Sequence, residues 1–401
     1  MICRAIVLGL LLLSADSLRA TSQQPAPTRP KLAAGADSND AQAYLDLGRR
    51  QLDDDPAVAM RSFYWASRLQ PDLAQAHYGR VVAEMLDDHD LLAIHFDGGG
   101  NQAERARDKM VDSIYALSFS LDPFLHRAWD KTLLIAFGDL RAHSDGSARA
   151  KREIEEELST YGPSWKAWLF YSAGRFREAL DFYALASRKA PKNDAYVARR
   201  AELHMRLLEP DSAFKYFAEA IKVASATEKN LDRLVRFYRP KAVYEYMTGF
   251  LHEMRGDVAE AREAYGRALV EDLSLFVAHQ RIGLLALAAR DTATALSELR
   301  LATEVAPNNA VLRYQYAVVL TRSGRLPEAV PELRKVIETE PWYPDPYMLL
   351  ARLYDSSDLK DDARALYKDF LARSRRDDAQ RPFALERVAA LIAPSPAGAQ
   401  P

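Results

Sequence analysis

The chain has 401 residues, a length that predicts several domains or an array of repeats rather than one core. Hydrophobic residues make up 48% and charged residues 27%, a balance that excludes a wholly disordered chain and a protein with many membrane spans. The formal net charge of −2 gives no electrostatic reason to expect nucleic acid as a partner. Cys3 is the only cysteine, which excludes an internal disulfide and a cysteine-based metal site.

Residues 1–20 have the features of a secretory signal peptide. Arg4 precedes an apolar run, Ala5–Leu13, and small residues follow as far as Ala20. The run of nine residues is shorter than the ~20 needed to cross a bilayer, so we expect an exported protein, periplasmic or secreted, with no integral membrane span after signal removal. The alternative is an uncleaved N-terminal anchor, because Leu18 lies where a cleavage site prefers a small residue.

Two segments have the composition of unstructured chain. Residues 21–38 are rich in proline, alanine and polar residues, and we expect a disordered linker there. Residues 393–401 have the same character and are expected to form a disordered tail.

Between Ala41 and Ile392 the apolar residues recur at helical spacing, in runs separated by short polar or Pro/Gly turns, which predicts an all-α protein. In six runs an alanine is followed four residues later by an aromatic residue or leucine, and seven residues later by another small or apolar residue. The leading alanines are separated by 34, 48, 34, 34 and 34 residues, so one interval contains a 14-residue insertion. The leading alanines are Ala179, Ala213, Ala261, Ala295, Ala329 and Ala363.

A 34-residue period with this signature resembles the tetratricopeptide repeat, a helix–turn–helix unit. Gly48, Ala59 and Phe63 give a weaker match near the N-terminus. The resemblance implies a right-handed superhelical α-solenoid of about nine helix pairs, because each pair buries its apolar face only by stacking on its neighbours. We assign irregular repeats to residues 39–227, regular repeats to 242–380 and a C-terminal capping helix to 381–392.

An insertion at residues 87–102 interrupts the irregular repeats. It contains carboxylate and imidazole side chains, of which His89, His95 and Asp97 are weak candidates for metal ligands. Their spacing matches no established metal-binding motif, so the sequence favours a solvated glycine-rich loop. A metal-binding enzyme or sensor is the corresponding alternative function.

A second insertion at residues 228–241 combines basic and aromatic residues. It suggests a surface for an acidic polymer, and hence an accessory role in envelope polysaccharide handling or secretion. A solvated helix extension is the simpler interpretation, because Glu228 and Asp232 dilute the charge. The basic residues are Arg233, Arg236, Arg239 and Lys241.

The sequence contains no nucleophile elbow, no phosphate-binding loop and no dinucleotide-binding glycine pattern. We therefore expect neither catalysis nor a cofactor.

The resemblance also implies where a partner would bind, since members of this family line a concave face with the first helix of each pair and bind peptides there. Here those helices carry an apolar stripe that is distinct from the packing face marked by Gly249 and Ala317. The function predicted is a non-enzymatic scaffold for a protein or peptide partner; alternatively, adjacent first helices bury each other's stripes. Val311 and Gln315 replace the basic residues of carboxylate-binding relatives, which favours an apolar or aromatic peptide. The predicted contact residues are Val243, Tyr246, Phe250, Val277, Gln280, Leu284, Val311, Tyr314 and Val318.

Overall fold

The computed structural model describes most of the chain, and every regular element in the described part is an α-helix. No β-strand occurs among the described residues, so the predicted all-α class is confirmed. The described residues are 26–52, 54–87, 101–102, 106–107, 110, 114, 117–118, 120–122, 162–172, 175–228 and 240–391.

The helices follow one another with turns of a few residues. Within the described ranges seven helix pairs are complete, from α1–α2 to α14–α15; the predicted total of nine includes segments outside these ranges and stays a prediction. The helices are α1 Ala41–Gln51, α2 Pro56–Leu69, α3 Ala74–Asp87, α4 Pro163–Ser172, α5 Phe176–Lys189, α6 Asp194–Arg206, α7 Pro210–Glu228, α8 Pro240–Arg255, α9 Val258–Glu271, α10 Phe276–Ala288, α11 Thr292–Val305, α12 Ala310–Arg322, α13 Leu326–Thr339, α14 Asp345–Ser356, α15 Lys360–Arg373 and α16 Arg381–Ala390.

Several sequence predictions concern residues outside the described ranges and are not addressed by the structure. These are the signal peptide at 1–20, the tail at 393–401, the metal candidates His89, His95 and Asp97, and the basic residues Arg233, Arg236 and Arg239.

Contacts divide the chain into two compact units. The central unit comprises residues 81–285, and the terminal unit combines residues 26–80 with residues 286–391. The terminal unit is thus discontinuous in sequence, which the repeat pattern does not predict, because a repeat in a simple stack contacts only its neighbours.

The alanine triplets of the sequence form the core in both units. All six leading alanines are 0% exposed, and the aromatic or leucine four residues later is at most 5% exposed. A small side chain at the first position lets two helices approach closely, and the larger side chain one turn later fills the space beside it. The residues at this second position are Tyr183, Phe217, Tyr265, Leu299, Leu333 and Tyr367.

Glycines on the first helices make room for the large residues of the second helices. A Cβ added at Gly249 in α8 would lie 2.7 Å from the Tyr265 ring of α9. In the terminal unit, Phe63 of α2 is wedged between Gly48 and Gly79, where added Cβ atoms would lie 2.6 and 2.7 Å from its ring. These glycines are therefore required by contact with a ring rather than by backbone conformation.

The turns inside five pairs have the same backbone geometry. One residue in each has a positive φ, and the separations along the chain are 48, 34, 34 and 34 residues, the same spacing as in the alanine series. The next backbone N–H then donates to a carbonyl five residues earlier, as in Leu359 N to Tyr354 O at 2.9 Å, which is the Schellman arrangement that ends a helix. The positive-φ residues are Leu208, Gly256, Arg290, Gly324 and Asp358.

The N-terminal helix pair packs on the last repeats within the terminal unit. Trp65 of α2 meets Trp342 edge to face, with ring centroids 5.2 Å apart. Arg68 donates to Glu340 over 2.5 Å, and both side chains are largely buried. Residues 26–38, part of the 21–38 segment expected to be a disordered linker, also pack here: Trp65 Nε1 donates to Pro27 O, and Arg29 lies against the Trp65 and Trp342 rings.

The chain ends in the described part with α16, whose Ala384 is fully buried while Leu385 is 55% exposed. Arg387 forms a bidentate ion pair with Asp355 of α14 over two 2.7 Å contacts, which holds the helix against the preceding repeat. No helix in the described ranges has the length and apolar character needed to cross a membrane.

Replacing Gly249 with alanine should destabilise the protein by about 1–3 kcal/mol, because the added methyl would overlap the Tyr265 ring. The matched control is Gly266→Ala in the adjacent helix α9, where an added Cβ meets nothing within 4 Å. The control should be neutral or stabilising by up to about 1 kcal/mol, because alanine favours the helix. Urea unfolding followed by circular dichroism measures both, and equal stabilities of the two variants would contradict the packing described.

Glu340 makes the stability of the terminal unit sensitive to pH. Burial raises the pKa of Glu340 to about 7, although Arg68 and Arg80 oppose the shift, and its Oε2 has no hydrogen-bond partner among the described residues. The folded state therefore keeps a proton that the unfolded chain releases near pH 4.5. The resulting stability is fully present below that pH and is lost as the pH rises through 7.

Between pH 5 and pH 7 we expect the wild-type protein to lose about 2 kcal/mol of unfolding free energy relative to Glu340→Gln, measured by urea unfolding. A gain for the wild type over the same interval would mean that attraction to Arg68, rather than burial, controls the ionisation of Glu340.

Candidate partner-binding surface

The predicted stripe on α8 divides into a buried and a partly exposed part. Tyr246 is 1% exposed, and its ring packs against Tyr265 with centroids 5.5 Å apart. Val243 and Phe250, seven residues apart on the same face of the helix, are partly exposed. Tyr246 is thus a core residue, and its two neighbours on the stripe are the ones a partner can reach.

The stripe on α10 divides in the same way. Val277 is 3% exposed and Gln280 is 7% exposed, whereas Leu284 is partly exposed. Three of the six predicted residues on α8 and α10 are therefore buried, namely Tyr246, Val277 and Gln280. The accessible residues of the stripe in the central unit are Val243, Phe250 and Leu284.

Arg281, which the sequence pattern did not single out, joins the two helices. Its guanidinium lies 4.8 Å from the Phe250 ring centroid and 3.4 Å from Glu253 Oε1. Tyr265 donates its hydroxyl hydrogen to Glu253 Oε2 over 2.7 Å. The apolar pattern of the sequence does not mark Arg281, because arginine is a charged residue. Its aliphatic stem and planar guanidinium nevertheless cover aromatic surface.

The protonation states around this ion pair are fixed at neutral pH. Burial raises the pKa of both Tyr246 and Tyr265, so both hydroxyls keep their protons. Tyr265 therefore remains a donor to Glu253, which in turn stays oriented towards Arg281.

The charges bordering this surface are also paired. Glu245, 6% exposed, accepts a hydrogen bond from Arg267 over 2.9 Å. Lys241, one of the four residues of the predicted basic stretch, forms an ion pair with Glu271 at 2.7 Å. The surface thus combines apolar contact at Phe250 and Leu284 with one half-buried ion pair. It does not present an excess of positive or negative charge.

In the terminal unit, most of the predicted stripe on α12 packs against other residues of the same unit. Val311 is 7% exposed, and Tyr314 lies edge to face on Tyr343 with ring centroids 5.3 Å apart. Val318 is partly exposed. Tyr343 follows Pro341 in the junction before α14, a position that the helical periodicity does not mark.

A family model described as tetratricopeptide repeat matches residues 320–382, which span α13, α14 and α15. The matched region covers part of the regular repeats predicted from the sequence. No curated protein matches the chain at a significant level.

Solved structures with a similar fold include YrrB, described as a tetratricopeptide-repeat protein with an unusual peptide-binding site. It is 17% identical over 51% of this chain and 97% of that chain, with a TM-score of 0.41. MamA from residue 41 to the end, from Desulfovibrio magneticus RS-1, is 18% identical over 49% of this chain and 96% of that chain, with a TM-score of 0.36. Pseudomonas aeruginosa PilF is 15% identical over 56% of this chain and 96% of that chain, with a TM-score of 0.43.

Three observations now agree: the 34-residue period of the sequence, the buried alanine triplets with their matching Schellman turns, and the family match at residues 320–382. Residues 320–382 are tetratricopeptide repeat, and the same period and turn geometry recur in the helix pairs before them.

Proposed function

We propose that this protein is a non-enzymatic scaffold that binds a segment of a partner protein on the first-helix surface of the central unit. The observation that carries the proposal is the pair Phe250 and Leu284. They are partly exposed apolar residues on consecutive first helices, joined by the contact of Arg281 with the Phe250 ring. Partly exposed apolar residues on consecutive helices supply the apolar contact that a binding surface requires.

The chemistry of this surface indicates the kind of segment it would bind. Phe250 and Leu284 favour an aromatic or aliphatic side chain, which would be desolvated against them. Arg281 and Glu253 lie beside this contact and favour a polar neighbour, because each can exchange part of its present ion pair for a hydrogen bond to the partner. A peptide with one large apolar anchor flanked by polar residues meets both requirements.

The ionisable groups around the surface support a role in recognition rather than in proton transfer. Arg281, Glu245 and Lys241 each lie in an ion pair with a specific residue of the same unit. Such pairs orient side chains and determine which partners fit.

The proposed place of action is outside the cytoplasm. The apolar run at Ala5–Leu13 and the small residues up to Ala20 support export through a cleaved signal peptide.

The proposal is tested with the double variant Phe250→Glu/Leu284→Glu. It should weaken capture of partners at least tenfold, because two carboxylates would replace the apolar contact. Capture is measured by crosslinking in the native host followed by mass spectrometry. Tyr246 is unsuitable for this test, because a charge at a residue that is 1% exposed would unfold the protein.

The matched control is Val270→Glu, which places the same charge at an apolar residue of α9 that is 78% exposed and lies outside the stripe. The control should retain every partner, and both variants should keep the wild-type circular dichroism spectrum. Retention of all partners at normal affinity by the folded double variant would refute the proposed surface.

A further inference from the structure

The segment that precedes α1, residues 26–40, lies on the terminal unit as a non-helical strap. The guanidinium of Arg29 lies between two indole rings, 4.2 Å from the Trp65 centroid and 4.8 Å from that of Trp342. Trp65 Nε1 donates to the carbonyl of Pro27 over 2.9 Å. One cation thus joins the N-terminal helix pair to the last repeats.

The strap holds its own shape around that cation. Arg29 Nη1 donates to Ser38 O over 2.7 Å, which draws the two ends of the strap together. The chain folds back through Gly35, whose φ of +84° is readily available only to glycine. The strap therefore presents a defined conformation.

The strap and the adjoining helix pair contact two equivalent sites on the last repeats. These are the junction after α13 and the junction after α15, and Trp342 and Arg376 occupy matching positions 34 residues apart. At the second junction, Arg376 N donates to Asp37 Oδ2 over 2.6 Å. Asn39 Nδ2 donates to Ala372 O over 2.9 Å and to Ser374 O at 3.3 Å.

These contacts have the character of a bound peptide rather than of a core element. No residue of the strap is fully buried. Its attachment includes a cation between rings, a carboxylate on a backbone N–H and an amide on two carbonyls. The Pro27 and Gly35 carbonyls accept from Trp65 and Arg376, and Asp40 forms an ion pair with Arg375 at 3.7 Å. Polar contacts of this kind exchange readily with a competitor of the same chemistry, because each side can be solvated when the strap leaves.

We infer that the two junctions form a peptide-recognition surface of the terminal unit, and that its resident ligand is the chain's own strap, bound in cis. The surface selects a folded-back segment with an arginine beside proline, followed some eight residues later by an acidic residue, as in Arg29 and Asp37. A partner segment of that chemistry binds only when the strap leaves. This surface is separate from the one proposed on the central unit, and its test does not depend on that proposal.

Cis occupancy is tested by a disulfide in the full chain. With Cys3→Ser as background, the pair Asp37→Cys/Arg376→Cys places the two thiols on residues that now touch, since the Asp37 carboxylate accepts from the Arg376 backbone N–H over 2.6 Å. Mild oxidation at low protein concentration should give a bridge within one chain, detected by peptide mapping of the monomer. The control pair Asp37→Cys/Arg300→Cys, with the second thiol on α11 two repeats away, should stay reduced.

The outcomes of this experiment are distinct. A bridge within the monomer supports the inference. A bridge between two chains would show that the strap is exchanged between copies, and a pair that stays reduced would show that the strap is not docked; either result overturns cis occupancy.

Recognition is tested with a fluorescein-labelled peptide of residues 26–40, added to the full chain and followed by fluorescence anisotropy. The variant Arg29→Ala/Asp37→Ala weakens the internal strap and should bind the peptide at least tenfold more tightly than the wild type, in which the strap competes. The same peptide with Arg29→Ala should lose at least tenfold in affinity for that variant. Equal binding of the peptide by wild type and variant, or no binding by the folded variant, would overturn the proposed surface.

Discussion

The structure depends on one packing relation, the insertion of a large side chain of a second helix against a small residue of a first helix. Tyr265 against Gly249, and Phe63 between Gly48 and Gly79, leave no space for a further methyl group. The leading alanines, all fully buried, give the same close approach along the chain. Because each contact is local to a pair and its neighbour, stability is distributed over many similar contacts rather than concentrated in one core.

This packing also explains how the same helix can serve the fold and a partner. A first helix uses one face to receive the large residue of its second helix, and a second face is left to neighbouring helices or to solvent. In α8 and α10 that second face is shared: Tyr246 and Gln280 are buried, while Phe250 and Leu284 stay partly open. The proposed partner-binding surface is therefore limited to the residues of the stripe that remain partly exposed.

The terminal unit adds a second level of organisation, in which the two ends of the described chain meet. Trp65, Trp342 and Arg29 form this contact, and the buried pair Arg68–Glu340 lies beside it. The contact joins residues 272 positions apart, so forming it costs more loop-closure entropy than forming any contact within a repeat. Burial raises the pKa of Glu340 in this contact, so the stability of the terminal unit is expected to change with pH near neutrality.

The sequence by itself determined the repeat, because a 34-residue period requires the same small and large residues at the same helical positions. It identified the recurring position of all six leading alanines, which are fully buried in the structure. It could not determine which stripe residues remain exposed, since Tyr246 and Phe250 have the same helical spacing and differ only in what packs on them. Nor could it predict that residues 26–38 are ordered, because their composition shows only that they cannot form a core of their own. Tertiary structure decided both points, because it brought Arg281 and the two tryptophans into contact with residues far from them in the sequence. The local sequence pattern contains no information about these contacts.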